Sequence, residues 1–163
     1  MPKVNPLMFR EYDLRGQVKE GELTKESVYL IGRGFGTFLK KKGVASSVLA
    51  HDARSYSKGI MDDLARGILD SGIDLYDCGM VATPMSYFAQ YKLNVQGVAM
   101  VTASHNPNGW SGFKLGYGYS KTLLPEDIKE LYKIIEDGKF AEGKGKRNEY
   151  PGDIVEDYAE DIL

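Results

Sequence analysis

The stretch Thr102-Ala103-Ser104-His105-Asn106-Pro107-Asn108-Gly109 gathers a hydroxyl, an imidazole, a carboxamide and several backbone N–H groups in one polar, turn-rich bend. It follows directly on Gly97 to Thr102, an apolar run that reads as a buried strand. In open α/β sheets, ligands bind at the carboxyl ends of strands. Fixed donors there suit an anion such as phosphate, because they need no reorganisation when charge arrives. Gly112-Phe113-Lys114 then returns the chain past the same rim and brings a cation toward Ser104. From the residues alone, the bend reads equally as a capped structural turn, and Lys114 as a surface lysine on an edge strand.

Elements that position this bend are legible around it. Thr24 is an expected N-cap, with Glu22 and Glu26 near the positive end of a helix dipole. The helix it opens runs from about Lys25 to Lys42, with Val28, Ile31, Phe35, Phe38 and Leu39 near one face and Gly43 as its stop. Val44 to Ala50 reads as a buried strand, Asp52 to Ser57 as a polar loop, and Ser57 as the cap of a second helix ending at Gly72. A second strand is expected over Ile73 to Cys78, a short helix after Thr83-Pro84, a fourth strand over Gly112 to Tyr117, and a helix over Pro125 to Glu136. The start, Leu7 to Lys19, lacks helical period and reads as ending in a turn at Arg15-Gly16.

Strands alternating with helices imply a three-layer α/β/α domain with a mixed, mainly parallel sheet. The loop between the last two strands is too short for a parallel crossover, so one strand is expected to be antiparallel. From Gly138 to Gly152, Gly, Lys and Glu replace apolar period, as in a linker, and Asp153 to Leu163 resumes helical spacing. The expected partition is therefore a domain over 1–137, a linker over 138–152, and the start of a following domain over 153–163.

A chain of 163 residues with 42% hydrophobic and 27% charged residues fits one soluble domain with an extension. Its net charge of -2 gives no electrostatic reason to expect nucleic acid or an anionic membrane as partner. The basic runs Lys40-Lys41-Lys42 and Lys144-Gly145-Lys146-Arg147 read as solvated surface. The single cysteine, Cys78, rules out an internal disulfide and reads as a buried, inert thiol. No signal peptide and no apolar run of roughly 20 residues is visible, so the default location is the cytoplasm.

Two rival chemistries are weak. Ser104 and His105 are adjacent, so their side chains diverge on an extended chain, and the Gly-x-Ser-x-Gly elbow of hydrolases is missing. Gly32-Arg33-Gly34-Phe35-Gly36 has the glycines of a dinucleotide site but lies in mid-helix; close packing of that helix against the sheet explains them better.

Four stretches together resemble one family. Thr102-Ala103-Ser104-His105-Asn106-Pro107 with Gly112-Phe113-Lys114 is similar to the phosphoserine signature of the α-D-phosphohexomutases. Phe9-Arg10-Glu11-Tyr12-Asp13-Leu14-Arg15-Gly16 resembles that family's N-terminal motif. Asp52-Ala53-Arg54-Ser55 resembles its Asp-x-Arg loop, and Gly79-Met80-Val81-Ala82-Thr83-Pro84 its Gly-x-x-x-Thr-Pro turn. Ala50-His51 stand where the family often has Gly and Arg.

The resemblance implies a phosphomannomutase or phosphoglucomutase, of which this chain is the first domain. Hexose 1-phosphate and 6-phosphate would interconvert through a bisphosphorylated sugar, with Ser104 as the phosphoserine. Lys114 would be the general acid/base, and Arg15 a nearby cation. His105 would donate to phosphate, assist proton transfer or shape the loop. Asn106 would shape the loop through side chain-to-backbone bonds, while Tyr12, Asp13 and Arg54 would support the site. Mg²⁺ would be held by a phosphoserine oxygen and by three aspartates of later domains, which this sequence lacks, as it lacks the family's sugar-recognition and C-terminal phosphate loops. Gly112-Phe113-Lys114-Leu115 looks more like the phosphomannose/phosphoglucose branch than the phosphoglucosamine branch. A non-catalytic phosphate-binding module is the alternative for the chain in isolation.

Overall fold

A computed structural model describes residues 4–163. After a short 3-10 turn at Pro6–Met8, the elements in chain order are β1 (Leu14–Gln17), α1 (Lys25–Lys41), β2 (Ser46–His51), α2 (Ser57–Asp70), β3 (Asp74–Met80) and α3 (Thr83–Leu93). They continue with β4 (Gly97–Val101), β5 (Trp110–Tyr117), α4 (Pro125–Asp137), β6 (Arg147–Glu149) and α5 (Ile154–Ile162). The six strands form one sheet in the order β1-β5-β4-β2-β3-β6. Pairings among β4, β2, β3 and β6 are parallel, and β5 runs antiparallel to both β4 and β1. The sheet is thus mixed and mainly parallel, with β5 as the one reversed strand.

Helices cover both faces, because each parallel strand presents apolar residues to two sides. One face packs Leu49, Ala99, Val101, Phe113 and Leu115 against the apolar stripes of α1, α2 and α4. The other packs Val48, Ala50, Val98 and Met100 against Met85 and Ala89 of α3 and Ile154 of α5. No helix among the described residues is long and apolar enough to cross a membrane.

Several boundaries follow local chemistry. Thr24 caps α1: its hydroxyl accepts from the Ser27 N–H at 3.2 Å, and the Ser27 hydroxyl accepts from the Thr24 N–H at 2.9 Å. Ser57, expected as a cap, is instead the first residue of α2; Tyr56 holds the cap position without a side-chain bond, and the Ser57 hydroxyl donates to Asp52. Burial, with Asp77 alongside, pushes the Cys78 thiol up to about 12, so it stays protonated and inert.

Three further expectations are corrected. Arg15-Gly16 is not a turn but the middle of β1, a strand whose pairing partner, β5, lies far along the chain. Gly16 leaves room where a Cβ would meet the Met8 sulfur at 2.7 Å. The α1 glycines serve helix-on-helix contact rather than packing on the sheet. A Cβ on Gly32 would lie 2.3 Å from the Leu64 carbonyl oxygen of α2, and one on Gly34 would lie 2.4 Å from Ile135 of α4. Finally, the stretch expected as a linker is tied down. Its β6 extends the sheet beside β3, the Gly145 N–H donates to the Leu69 oxygen at 2.8 Å, and buried Arg33 donates to the Ala141 oxygen at 3.0 Å. Beyond it, Tyr158 of α5 meets Phe88 of α3 edge-on at 5.4 Å between ring centres.

The reciprocal approach at Gly67, where a Cβ would lie 2.2 Å from the Tyr29 oxygen, sets the α1–α2 spacing. Gly67→Ala should lower the unfolding free energy by about 1–3 kcal/mol despite alanine's better helix propensity, as measured by urea denaturation. An unchanged midpoint would show that the two helices separate freely.

Candidate functional site: the Ser104 bend and its cleft

β2 and β4 lie side by side and end at the same rim, so the segments that leave them meet. The Asp52 N–H donates to the Val101 oxygen at 2.9 Å, which carries the pairing one residue past β2. The Asp52 carboxylate accepts from the Thr102 hydroxyl at 2.9 Å, from the Ser57 hydroxyl, and from the Arg54 N–H at 3.2 Å. Burial opposes its ionisation. Hydrogen bonds from Ser57, Thr102 and the backbone N–H groups of Arg54 and Ala103 outweigh that and hold the carboxyl below the ordinary carboxylate range. Thr102, held this way, accepts the Ser104 N–H at 3.0 Å.

The rest of the bend is gripped by the same loop. The Arg54 guanidinium donates to the backbone oxygens of Asn106 and, at 2.8 Å, Pro107. The Tyr56 hydroxyl accepts from the Gly109 N–H at 2.9 Å and donates to the Trp110 oxygen at 2.7 Å. Carbonyls on the bend are thereby satisfied from one side, and Ser104 and His105 are left exposed at the tip. Ser104 has φ = 56°, the left-handed region, which costs a residue with a Cβ about 1–2 kcal/mol. Its hydroxyl has no hydrogen-bond partner among the described residues.

A cleft of about 550 Å³ adjoins the bend, lined by Tyr12, Asp13, Arg15, Asn106, Trp110 and Lys114 together with Arg10 and Glu11. Strand alternation explains it. Leu14 on β1 and Phe113 and Leu115 on β5 face the core under α1 and α4, so Arg15, Trp110 and Lys114 face the other way. On that face α3 covers β2 and β4, and among the described residues no helix covers the β1–β5 pair. Arg15, opposite Gly112 in the register, is held by Asp13 through contacts of 3.0 Å and 3.2 Å, and its remaining arm donates to Asn106 Oδ1 at 3.3 Å. Asn106 thus serves the site as a side-chain acceptor for Arg15, not by the side chain-to-backbone bonds expected. Lys114 is half-buried and makes no hydrogen bond or ion pair among the described residues.

Of the residues singled out by sequence, Arg15, Asn106, Tyr12 and Lys114 share the cleft, Ser104 and His105 stand on the bend beside it, and Arg54 buttresses the bend from behind. His105 contacts no acid or base among the described residues, and buried His51 spends Nδ1 on the Asp52 oxygen at 2.7 Å, so no Ser–His pair of the hydrolase kind forms. Sequence reasoning named Asp52 and Thr102 only as parts of motifs, without a role, and passed over Tyr56 and Trp110. The spacing Asp52, Arg54, Tyr56 just after a buried strand was the available signal, since it places three polar side chains at the rim that Ser104 occupies. No group of three or more His, Cys, Asp or Glu side chains suited to a metal ion occurs among the described residues, so these residues do not make a Mg²⁺ site by themselves.

Glycine should relieve the strain of the left-handed Ser104 conformation. Ser104→Gly is expected to raise the unfolding free energy by roughly 1 kcal/mol after the added chain entropy is subtracted, whereas Ser104→Ala, which keeps the Cβ, should change it by less than about 0.5 kcal/mol. Chemical denaturation of both variants checks this; equal stability of the two would remove the strain.

Residues 6–142 match the family model described as phosphoglucomutase/phosphomannomutase, alpha/beta/alpha domain I. A phosphoglucomutase of Neisseria meningitidis serogroup B is 43% identical over 138 residues, covering 84% of this chain and 30% of that protein. A phosphomannomutase of Vibrio cholerae is 35% identical over 95% of this chain and 34% of its own length. The crystal structure of a phosphoglucomutase/phosphomannomutase family protein from Burkholderia thailandensis superposes with a TM-score of 0.88 at 31% identity, covering 98% of this chain and 36% of that one. The chain thus spans about a third of the length of these relatives. With that match over most of its length, and with the bend and its cleft built as described, this chain belongs to the phosphoglucomutase/phosphomannomutase family and has the fold of its α/β/α domain I.

Proposed function

We propose that this chain is the phosphoserine-bearing first domain of a cytoplasmic sugar-phosphate mutase that interconverts the 1- and 6-phosphates of glucose, mannose or both. One observation carries the reading: Ser104 is presented in a left-handed conformation, with a free hydroxyl, beside a cleft that holds Arg15 and Lys114. The relatives' names, phosphoglucomutase and phosphomannomutase, support the hexose choice over glucosamine.

In the proposed reaction, the bond between phosphorus and Ser104 Oγ breaks as a sugar hydroxyl oxygen bonds to phosphorus. The hydroxyl proton passes to the Lys114 amine and from it to the departing Ser104 Oγ, from which Lys114 takes it back for the return step. The sugar, then a bisphosphate, turns over, and its other phosphoryl group returns to Ser104 Oγ as Lys114 gives the proton to the oxygen left on the sugar. Such transfer depends on positioning and charge neutralisation more than on covalent help. Arg15, with its guanidinium oriented by Asp13, supplies fixed positive charge to the phosphoryl oxygens. His105, exposed on the bend next to Ser104, donates to them as well in this reading. Arg54 and Asn106 keep the bend in place, and Tyr12 contacts the sugar phosphate across the cleft. Mg²⁺, when bound, neutralises phosphoryl charge; of its ligands this chain would supply only a phosphoserine oxygen.

Because the chain covers about a third of its relatives, the segment after residue 137 is proposed to lead into further domains that complete the site. In isolation the chain would bind phosphate without turnover. In a protein containing the complete set of domains, Ser104→Ala should lower hexose-phosphate mutase activity about a thousandfold or more, and Lys114→Met about a hundredfold to ten-thousandfold, in a coupled assay with glucose 1-phosphate and mannose 1-phosphate. Full activity in the Ser104→Ala protein would refute the phosphoserine role. Measurable turnover by the 163-residue chain alone would refute the need for later domains.

A further inference from the structure

The cleft contains an aromatic side chain that the phosphoryl chemistry does not use. Trp110, the single tryptophan of the chain, opens β5. It lies directly opposite Gln17 of β1, on the same face as Arg15 and Lys114. Its backbone is fixed at both ends of the residue: its N–H donates to the Pro107 oxygen at 3.3 Å, and its oxygen accepts from the Tyr56 hydroxyl at 2.7 Å. The side chain is half-buried and lines the cleft, yet its indole N–H has no hydrogen-bond partner among the described residues. A buried indole ordinarily spends that N–H on a protein acceptor, whereas this one opens toward the cleft, free for a ligand. A rigid, wide apolar ring with one unspent donor, next to two cations, is complementary to a molecule with an apolar face, hydroxyls and a negative charge.

We infer that Trp110 is the sugar-contacting platform of this cleft: the indole ring lies against the C–H face of the pyranose, and its N–H donates to a sugar hydroxyl. Arg15 and the Ser104 bend meanwhile hold the phosphoryl group. The inference rests on the phosphate-binding reading of the Ser104 bend and adds to it a sugar-contacting residue of this domain. The indole side chain makes no hydrogen bond to the bend among the described residues, so the sugar and phosphate contributions can be tested separately.

One tryptophan gives one indole N–H signal, so the 163-residue chain reports on this contact directly by ¹H–¹⁵N NMR. Glucose 1-phosphate should shift the indole signal and the Ser104 and His105 amides along one saturation curve, while inorganic phosphate should shift only the amides. Trp110→Leu should weaken glucose 1-phosphate about tenfold and leave inorganic phosphate unchanged, and Trp110→Phe, which keeps a ring, should retain most of the affinity. Dispersed amide spectra establish that each variant is folded. Amides that move with glucose 1-phosphate while the indole stays still would overturn the platform and leave the Ser104 reading standing. An indole that moves while no phosphate compound moves the bend would support the platform and count against the Ser104 reading. Equal affinity in Trp110→Leu, or no response to the sugar phosphate at all, would overturn the inference.

Discussion

The bend that carries Ser104 depends on one carboxylate. Asp52 sits where β2 ends and takes hydrogen bonds from Thr102, Ser57 and the Arg54 backbone, so a single side chain joins the loop after β2, the start of α2 and the loop after β4. Thr102 in turn orients the Ser104 N–H. A neutral side chain of the same shape would accept fewer of these donors and would leave part of the set unpaired in a half-buried place, which costs more than the bonds contribute. The sheet makes the junction possible because parallel β2 and β4 end at the same rim.

A second constraint is the reversal of β5. Running antiparallel between β4 and β1, it brings Lys114 and Trp110 onto the uncovered side of the sheet and sets Gly112 against Arg15. Had the chain crossed over through a helix to form another parallel strand, that helix would have been free to pack on this face, as α3 does over β2 and β4. The short return after the Ser104 bend therefore does two things: it keeps the cleft open and puts Lys114 on the same cleft that Asn106 of the bend lines. Arg15 owes its aim to Asp13, which lies in the bend just before β1.

Much of this was legible in the sequence. The helices α1 and α4, the buried strands β2 and β4 and the antiparallel β5 carry strong apolar period or composition, and each lies within a few residues of its expected place. What was not legible depends on long-range pairing. β1 has four residues and no local signature, and is a strand only because β5 accepts it. The same is true of β6, whose Arg-Asn-Glu sequence says nothing of strand until Arg147 reaches Asp62 and Asp77 across the edge. At the site, residue types pointed to Ser104 and Lys114, and Arg15 entered only through the family resemblance. The network that holds them did not show, because Asp52, Thr102 and Tyr56 act through tertiary hydrogen bonds rather than through a pattern along the chain.

The claim on which the site rests is that Asp52 stays ionised and fully bonded in the folded protein. Because its folded-state value lies below that of the unfolded chain, its contribution is present at neutral pH and fades as pH falls below the ordinary carboxylate range of about 4. A ¹³C NMR titration of the Asp52 side-chain carboxyl in the folded chain measures this directly. The account predicts a midpoint clearly below the ordinary aspartate value, with the Ser104 amide signal moving in the same titration step. A midpoint at or above that value, or a Ser104 amide indifferent to Asp52 protonation, would contradict it.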